Sequence, residues 1–478
     1  MTTTLTASRP RAAVAATPQQ AGPPRRPRVT LIVGSLAGFM IGLDATVVTT
    51  ALPTIHATLH ASASALGWTV SAYSLAFAAL ILTGTALGDR FGRRRVFLAG
   101  FAVFTLASAA CALAPSVAAL IAARVVQGAG GGIATPLSLV LITEAFPPQR
   151  RGAVIGAWGA ITGVAIGFGP VIGGAIVEGI AWPWVFWVNV PIGIILITLG
   201  RRLLAESRGP SRRLDPAGLL FATGAVFAVT DALLRGPQAG WHSAEVLSLA
   251  GTGAALAAVF VLAERRSAHP MIPPRLFTNP MLRAAVTTGF LLFATILGSA
   301  FLVPQYLQLA HGLSPLHTGL ALLPFTGPMM LIAPAAGKAA DRLGERVPIV
   351  TGLILTAAGF TLLGLTATAT GGYLTIAGPL LLAGVGAGLA VPTTVSASLR
   401  AVSTQQAGLA SGIGSTLQNI GGVFGVATVT AVFAGSGSYL SPAGFIHGLR
   451  PALLALAILA ALGALAGHAV RHPARASR

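Results

Sequence analysis

The chain is built of apolar runs, each long enough to cross a bilayer, separated by short loops. Of its 478 residues, 54% are hydrophobic and only 9% are charged, whereas soluble domains carry about 25% charged residues. A single water-soluble core cannot bury so much apolar surface, and a helix of about 20 apolar residues spans the hydrocarbon core of a membrane. The sequence therefore predicts an all-α membrane protein with many spans.

We predict fourteen transmembrane helices, each near the length that a bilayer requires. They cover residues 29–52, 66–87, 96–114, 117–143, 153–177, 185–200, 216–234, 244–263, 284–310, 315–336, 348–367, 373–399, 407–434 and 446–470. The stretch 1–28 is rich in Pro, Thr and Arg and is predicted to be a disordered cytoplasmic tail. Residues 471–478 form a second short cytoplasmic tail.

Basic residues concentrate in alternate loops. The tail before the first span holds several arginines, the loop 51–65 holds no Arg or Lys, and the next loop holds Arg90, Arg93, Arg94 and Arg95. Short loops rich in Arg and Lys stay on the cytoplasmic side, so both termini are predicted to be cytoplasmic. The net charge of +19 is therefore read as an orientation signal. No basic helix or aromatic platform accompanies it, which argues against nucleic-acid binding.

The two ends of the chain repeat one another. The basic loop GDRFGRRR has a reduced copy in GKAADRLGER (337–346), so that Asp89 corresponds to Asp341, and GAGGGIATP (128–136) aligns with GVGAGLAVP (384–392). Parallel repeats of this kind are typical of secondary transporters. We predict a six-helix bundle over 29–200 and a second over 284–470. The segment 201–283 between them carries two inserted helices.

Other kinds of site find little support. Cys111 is the only cysteine and lies within an apolar run, which excludes a disulfide within the chain. The histidines show no metal-ligand spacing, and the chain has no phosphate-binding loop. We therefore predict no enzyme activity, no metal and no cofactor.

Six motifs in a fixed order resemble the major facilitator superfamily, and more narrowly its fourteen-helix branch of drug:proton antiporters. The resemblance covers nearly all of residues 29–470. The motifs are LDATVVTTALP (43–53), GDRFGRRR, ARVVQGAGGG (123–132), GVAIGFGPVIGG (163–174), WVFWVNVPIG (184–193) and VPQYLQLAHGLSPLHTGLALLP (303–324). The chain departs from the pattern at Thr85, where the loop motif has a glycine, and at Pro183, where an arginine is usual. The resemblance implies a multidrug efflux transporter in a bacterial cell membrane.

Asp44 and Arg124 are ionisable residues deep inside spans. Each would cost at least about 2.5–3.5 kcal/mol facing lipid at mid-helix, so both are expected to face the interior. Counting 1.5 Å per residue from the helix ends places the two at one depth. We expect Asp44 to bind the exchanged proton and Arg124 to tune its pKa, roles that the resemblance also implies. The alternative is a static ion pair that fixes helix packing.

The loops predict two ion pairs with inverted charges. Arg93 corresponds to Glu345 in the repeat, and Glu144 corresponds to Arg400. We predict that Arg93 pairs with Glu144 and Glu345 with Arg400, each latching a cytoplasmic loop to a helix end. Asp89, Arg90 and Asp341 complete the predicted gating loops.

The fifth predicted helix carries a face of small residues with a kink point. Such a face allows helices to approach closely, and the resemblance identifies it as the antiporter signature. Its residues are Gly163, Gly167, Gly169, Pro170, Gly173 and Gly174. Ordinary tight packing is the alternative.

Scattered polar and aromatic residues are the candidates for a substrate cavity, although Gln and Asn equally form hydrogen bonds between helices. They are Thr46, Thr49, Tyr73, Gln127, Gln305, Gln308, Gln418 and Asn419. Because Asp44 is the one acidic residue expected deep in the bundles, the cavity suits lipophilic compounds of little charge.

These observations favour a proton-coupled antiporter that exports hydrophobic drugs or small metabolites by alternating access. Its partners would be a small lipophilic substrate, protons and membrane lipid, with no nucleic acid and no required oligomer. A metabolite uniporter or importer of the same fold is one alternative. A non-transporting membrane sensor is another, but none of the loops is long enough to hold a soluble domain.

Overall fold

A computed structural model describes residues 27–208, 216–266, 274–402 and 407–470. Within those ranges the chain is helical and contains no β-strand. The helices are α1 (Pro27–Val47), α2 (Leu52–Leu59), α3 (Ala63–Phe91), α4 (Arg93–Ala112), α5 (Val117–Ala145), α6 (Pro148–Gly179), α7 (Trp184–Trp187), α8 (Asn189–Leu203), α9 (Pro216–Ala239), α10 (Ala244–Arg266), α11 (Pro280–Leu309), α12 (Pro315–Ala321), α13 (Leu323–Leu343), α14 (Arg346–Thr366), α15 (Leu374–Arg400), α16 (Ala407–Ser436) and α17 (Pro442–Gly467). The predicted tails 1–28 and 471–478 lie almost wholly outside the described residues.

Local sequence explains where several helices begin. Ser62, Ser116 and Ser441 each precede a helix, and the hydroxyl of each accepts a hydrogen bond from a backbone N–H in the first turn. This is the usual role of serine at a helix N-terminus. Gly92 separates α3 from α4 with φ of 110°, a backbone conformation that glycine adopts without a steric penalty.

Within the described ranges, twelve helices are long and apolar enough to cross a membrane, or thirteen if the bent pair α12 and α13 counts as one span. The two members of that pair meet at 43°. Among the described residues of α9, Leu220–Val229 form a shorter apolar helix. The predicted all-α membrane fold is therefore confirmed, and the count of fourteen spans stays a prediction.

The same packing occurs in the helices before and after the insertion. Side chains at Gly128 and Gly132 of α5 would overlap the backbone of α3 at Tyr73 and Phe77. In α15, side chains at Gly384 and Gly388 would meet the backbone of α13 at Phe325 and at Pro328 and Met329. Small residues allow this close approach, and the repeated glycines hold matching helix pairs. We refer to α1–α8 as the first half and to α11–α17 as the second half.

The inserted hairpin α9–α10 lies against both halves. Helix α9 packs on α10, on α3 and on α16, and the rings of Trp68 and Phe227 lie 5.3 Å apart between α3 and α9. Arg235 forms an ion pair with Asp231 on its own helix at 2.8 Å, and its ion pair with Glu245 at 2.6 Å joins α9 to α10.

The helix ends define two membrane faces. We call the face that carries the α3–α4 turn, with Arg90, Arg94 and Arg95, the basic face. The far ends of the same helices form the opposite face.

Candidate functional site

A fully buried ion pair lies inside the first half. Nη1 of Arg124 in α5 is 2.5 Å from Oδ2 of Asp44 in α1, and both side chains are 0% exposed. The structure thus brings together the two ionisable residues that the sequence places at one depth. Breaking such a pair by removing one partner costs about 3–5 kcal/mol, because a buried charge is left without compensation.

Neutral side chains complete the coordination of Asp44. Gln127 and Asn189 donate their amide N–H groups to Oδ1 at 2.8 and 2.9 Å. Both amides also donate to the hydroxyl of Ser108, at 2.8 and 3.4 Å. Donors from two helices, α5 and α8, therefore converge on one carboxylate, an arrangement that stabilises its ionised form.

Arg124 is held by a second set of contacts. Its Nη1 also donates to Oε1 of Gln127 at 2.7 Å, and its Nε donates to the carbonyl of Thr69 at 3.2 Å. The guanidinium lies 4.1 Å from the ring centroid of Tyr73 and 5.7 Å from that of Phe186. A cation over an aromatic face gains about 2 kcal/mol or more when both are desolvated. These contacts come from α3, α5 and α7, so they hold Arg124 in place independently of Asp44 on α1.

Sequence reasoning missed Asn189 and Ser108. Asn189 is the first residue of α8, directly after the break that separates α7 from α8. A lone amide in an apolar run is a usable signal, but its depth cannot be counted across a broken helix. Ser108 gives no signal, since serine is common in membrane helices.

The basic face carries a second charged cluster. Arg93 donates to Oδ1 of Asp89 at 2.8 and 2.6 Å through Nε and Nη2, and its Nη1 contacts Glu144. Arg90 is exposed and lies over the ring of Phe91 at 5.3 Å. The predicted pair of Arg93 with Glu144 is therefore in contact, and its role as a latch stays a prediction.

The corresponding pair in the second half is also in contact. Nε of Arg400 lies 2.9 Å from Oε1 of Glu345, whose side chain is 0% exposed. The two atoms are close enough to form an ion pair, but they are not aligned for a hydrogen bond. The side chain of Asp341 lies outside the described residues.

Glu206 joins the basic cluster without having been predicted. Its Oε1 accepts from the backbone N–H of Arg94 at 3.0 Å, and its Oε2 lies 3.7 Å from Nε of both Arg94 and Arg95. An acid at the first turn of α4 also complements the helix dipole. The segment after α8 is thereby held against the α3–α4 turn.

The predicted glycine face on α6 contacts both halves. Side chains at Gly169 and Gly173 would overlap α1 at Thr46 and Val47, and one at Gly174 would overlap Pro315 at the start of α12. A side chain at Gly167 would overlap that of Met330, and one at Gly319 would overlap the carbonyl of Pro170. At Gly163 no atom lies within 4 Å of the position that a Cβ would occupy, so its neighbourhood is open.

The predicted cavity residues divide into separate groups. Tyr73 and Gln127 belong to the buried cluster. Gln305 is buried elsewhere: its Nε2 donates to the carbonyl of Phe301 at 2.6 Å, and its Oε1 accepts from the hydroxyl of Tyr439 at 2.9 Å. Gln308 donates to the carbonyl of Thr50 across the two halves at 2.9 Å. The remaining candidates are partly or fully buried on α1, on the turn after it and on α16: Thr46, Thr49, Gln418 and Asn419.

For the described residues, no group of three or more His, Cys, Asp and Glu side chains is placed to hold a metal ion.

The chain is similar to proteins of known families. The profile of the Major Facilitator Superfamily matches residues 34–426. Multidrug resistance protein Stp of Mycobacterium tuberculosis is 37% identical over 85% of this chain and 76% of its own length. The Tetracenomycin C resistance and export protein of Streptomyces glaucescens is 34% identical over 86% and 76%. The Methylenomycin A resistance protein of Streptomyces coelicolor is 35% identical over 93% of each chain.

Solved structures are similar in fold. A bacterial homologue of the human lysosomal transporter Spinster, in an inward-facing and unoccupied conformation, has a TM-score of 0.68 at 17% identity and covers 94% of this chain and 99% of its own. A D-xylose–proton symporter has a TM-score of 0.64 at 17% identity, with coverage of 92% and 96%. At these identities the likeness concerns the fold alone.

Proposed function

The chain belongs to the major facilitator superfamily, and we propose that it exports lipophilic drugs or small-molecule metabolites across the cell membrane in exchange for protons. The observation that carries the proposal is the buried cluster around Asp44. A carboxylate with 0% exposure in a membrane span is costly, and such residues in transporters commonly mark a proton path.

A small movement of the helices would be enough to change the protonation state of Asp44. Asp44 lies on α1, whereas its donors Arg124, Gln127 and Asn189 lie on α5 and α8. A small shift of α1 relative to α5 and α8 would withdraw the donors, and an isolated carboxylate in that place would then take up a proton. Return of the donors would release it.

Contacts between the halves support alternating access. On the opposite face, Leu316 N–H of the second half donates to Oε2 of Glu178 at 3.0 Å, and Gln308 bonds to Thr50. Along α6 and α13 the halves separate toward the basic face, where Gly163 has open space beside it. With the basic face assigned to the cytoplasm, this geometry is that of a transporter open to the inside.

The relatives support the class of substrate. Three of them are named for drug or antibiotic resistance, and one of those also for export. Within the described parts of the two halves, Asp44 is the acidic side chain buried at mid-span. A cavity without further acidic groups suits compounds of low charge.

The test uses the purified protein in liposomes that contain a pH-sensitive dye, with an imposed pH gradient and a panel of lipophilic compounds. We expect compound-triggered proton flux in wild type and none in Asp44→Asn. Asp231→Asn, the same change in the inserted helix α9, is the matched control and should keep the flux. Compound movement without proton flux in wild type would instead support a uniporter.

A further inference from the structure

Two of the seams along which the halves meet run nearly the length of their helices, and the first lies between α6 and the bent pair α12–α13. From the opposite face inward, its contacts are Gly174 with Pro315, Pro170 with Gly319, and Gly167 with Met330. At each contact a Cβ on the glycine would overlap the neighbouring helix, so only a glycine allows this approach. The seam is therefore closed from the opposite face to the depth of Gly167, which is the twentieth residue of α6 (Pro148–Gly179).

Closer to the basic face, the same seam is open. Gly163 precedes Gly167 by one helical turn, and Gly337 follows Met330 by two turns, so each continues the stripe that makes the last contact. Neither Gly163 nor Gly337 has an atom within 4 Å of the position that a Cβ would occupy. The two helices therefore diverge toward the basic face. Pro334 lies within α13 at this level, and a proline inside a helix commonly bends it.

The opening extends from the middle of α6, at Gly163, to the basic-face end of α13, at Gly337. Lys338 follows Gly337 directly and is exposed, as expected for a lysine whose ammonium reaches the headgroups from a helix end. Ile155 on α6 is 43% exposed, and Leu331 on α13 is 81% exposed. Both helices that border the opening therefore carry exposed apolar side chains.

The second seam, between α3 and α16, is closed and covered. Oγ1 of Thr416 donates to the carbonyl of Ala78 at 3.4 Å, and Thr416 is the tenth residue of α16 (Ala407–Ser436). Helix α9 packs on both α3 and α16. Among the described large apolar side chains, α16 has none that is exposed, and α3 exposes only Phe91 at its end.

We propose that lipophilic substrate reaches the central cavity sideways from the inner leaflet through the α6–α13 seam, and that the inserted helix α9 closes the α3–α16 seam to lipid. The proposal rests on the export function proposed above and specifies the class of substrate: compounds already dissolved in the bilayer. On this proposal the inserted helix α9 covers one of the two seams, so that only the α6–α13 seam is open to lipid. Apolar compounds concentrate in the bilayer, so a lateral opening gives access to the larger pool.

Lipid access to the two seams can be measured directly. Gly337→Cys and Thr416→Cys are labelled with bimane and placed in bilayers of brominated phosphatidylcholine, whose acyl chains quench the dye on contact. Thr416 on α16 is the matched control for the closed seam, because its hydroxyl contacts the carbonyl of Ala78 on α3. The native Cys111 is 0% exposed, so unsubstituted protein gives the labelling background.

We expect strong quenching at Gly337→Cys and little at Thr416→Cys. Gly159→Cys, on the open part of α6, repeats the measurement if the first variant does not fold. Equal quenching at both seams, or none at either, would overturn the proposal.

A transport measurement separates this proposal from the export function itself. Gly337→Trp should slow the removal of the membrane-partitioned dye Hoechst 33342, whereas Gly372→Trp, an equally open position on the opposite face, should not. Unchanged transport in Gly337→Trp would contradict lateral access. If wild type moves neither compounds nor protons, the export function fails, while the quenching data still report whether the seam admits lipid.

Discussion

Asp44 and Arg124 form the ion pair on which the proposed coupling depends. Each side chain also forms two hydrogen bonds with other residues. This arrangement makes single substitutions more damaging than double ones, because a lone buried charge has no compensation. It also distinguishes the pair from surface ion pairs, which contribute about 0–1 kcal/mol.

Arg124→Met should lower the free energy of unfolding by about 3–5 kcal/mol, since it strands the Asp44 carboxylate in the protein interior. The double variant Asp44→Asn with Arg124→Met should recover much of that loss. Thermal unfolding of the detergent-purified protein measures both. Arg235→Met is the control, because Arg235 is 51% exposed in its ion pairs and should change stability little. A double variant as unstable as the single one would argue against charge compensation.

The contact between Asp44 and Arg124 was predictable, because both lie in unbroken helices where residue number measures depth. Asn189 was not, since it follows a break, and neither was Glu206, which lies in a connecting segment whose path no periodicity reports. The weakest predictions were the cavity residues. Polar side chains such as Gln127 and Gln305 satisfy hydrogen bonds within the bundle, and a sequence does not distinguish that use from cavity lining.

At the scale of helices, glycine decides which surfaces can touch. Helix α6 meets α1 through Gly169 and Gly173 and meets α12 through Gly174. Other glycines on the same helix, Gly159 and Gly163, face open space. Sequence alone identified a small-residue face but could not separate the packed glycines from the unpacked ones, because that depends on the neighbouring helices.

Gly173→Ala should destabilise the protein by about 1–3 kcal/mol, the usual cost of overpacking, because the added methyl group would meet the carbonyl of Val47. Gly159→Ala is the matched change with no atom within 4 Å. It should be neutral or stabilising by about 0.4–1 kcal/mol, as glycine replacements in compatible helices are. Thermal unfolding of the two variants tests this, and equal effects would show that α6 does not pack as described.

The ion pair between Glu345 and Arg400 permits a charge-swap test of the proposed latches. Glu345→Arg and Arg400→Glu should each reduce transport, because each places like charges together at the basic face. The double swap restores an opposite-charge pair and should recover part of the activity in the liposome assay. Failure of the swap to exceed either single variant would mean that the pair does not act as a latch. The second half suits this test, since Arg93 in the first half also binds Asp89.

For the whole molecule, the repeat predicts two similar halves, and matching glycine contacts in α5 and α15 occur in both. The ion pair is not repeated: Arg124 corresponds to Leu380, so the proposed proton site belongs to the first half alone. The sequence located the insertion between the halves but gave no sign that α9 packs on α3 and α16, because lipid-facing and protein-facing apolar helices have the same composition. Coupling must therefore pass from one asymmetric site to the movement of both halves.

The most direct test of that coupling compares uphill with downhill transport in one set of vesicles. With a compound that triggers proton flux, wild type should concentrate the compound against its gradient when a pH gradient is imposed. Asp44→Asn should still exchange the compound across the membrane but only to equal concentrations on both sides. An Asp44→Asn protein that concentrates the compound as well as wild type does would contradict the central claim that Asp44 carries the exchanged proton.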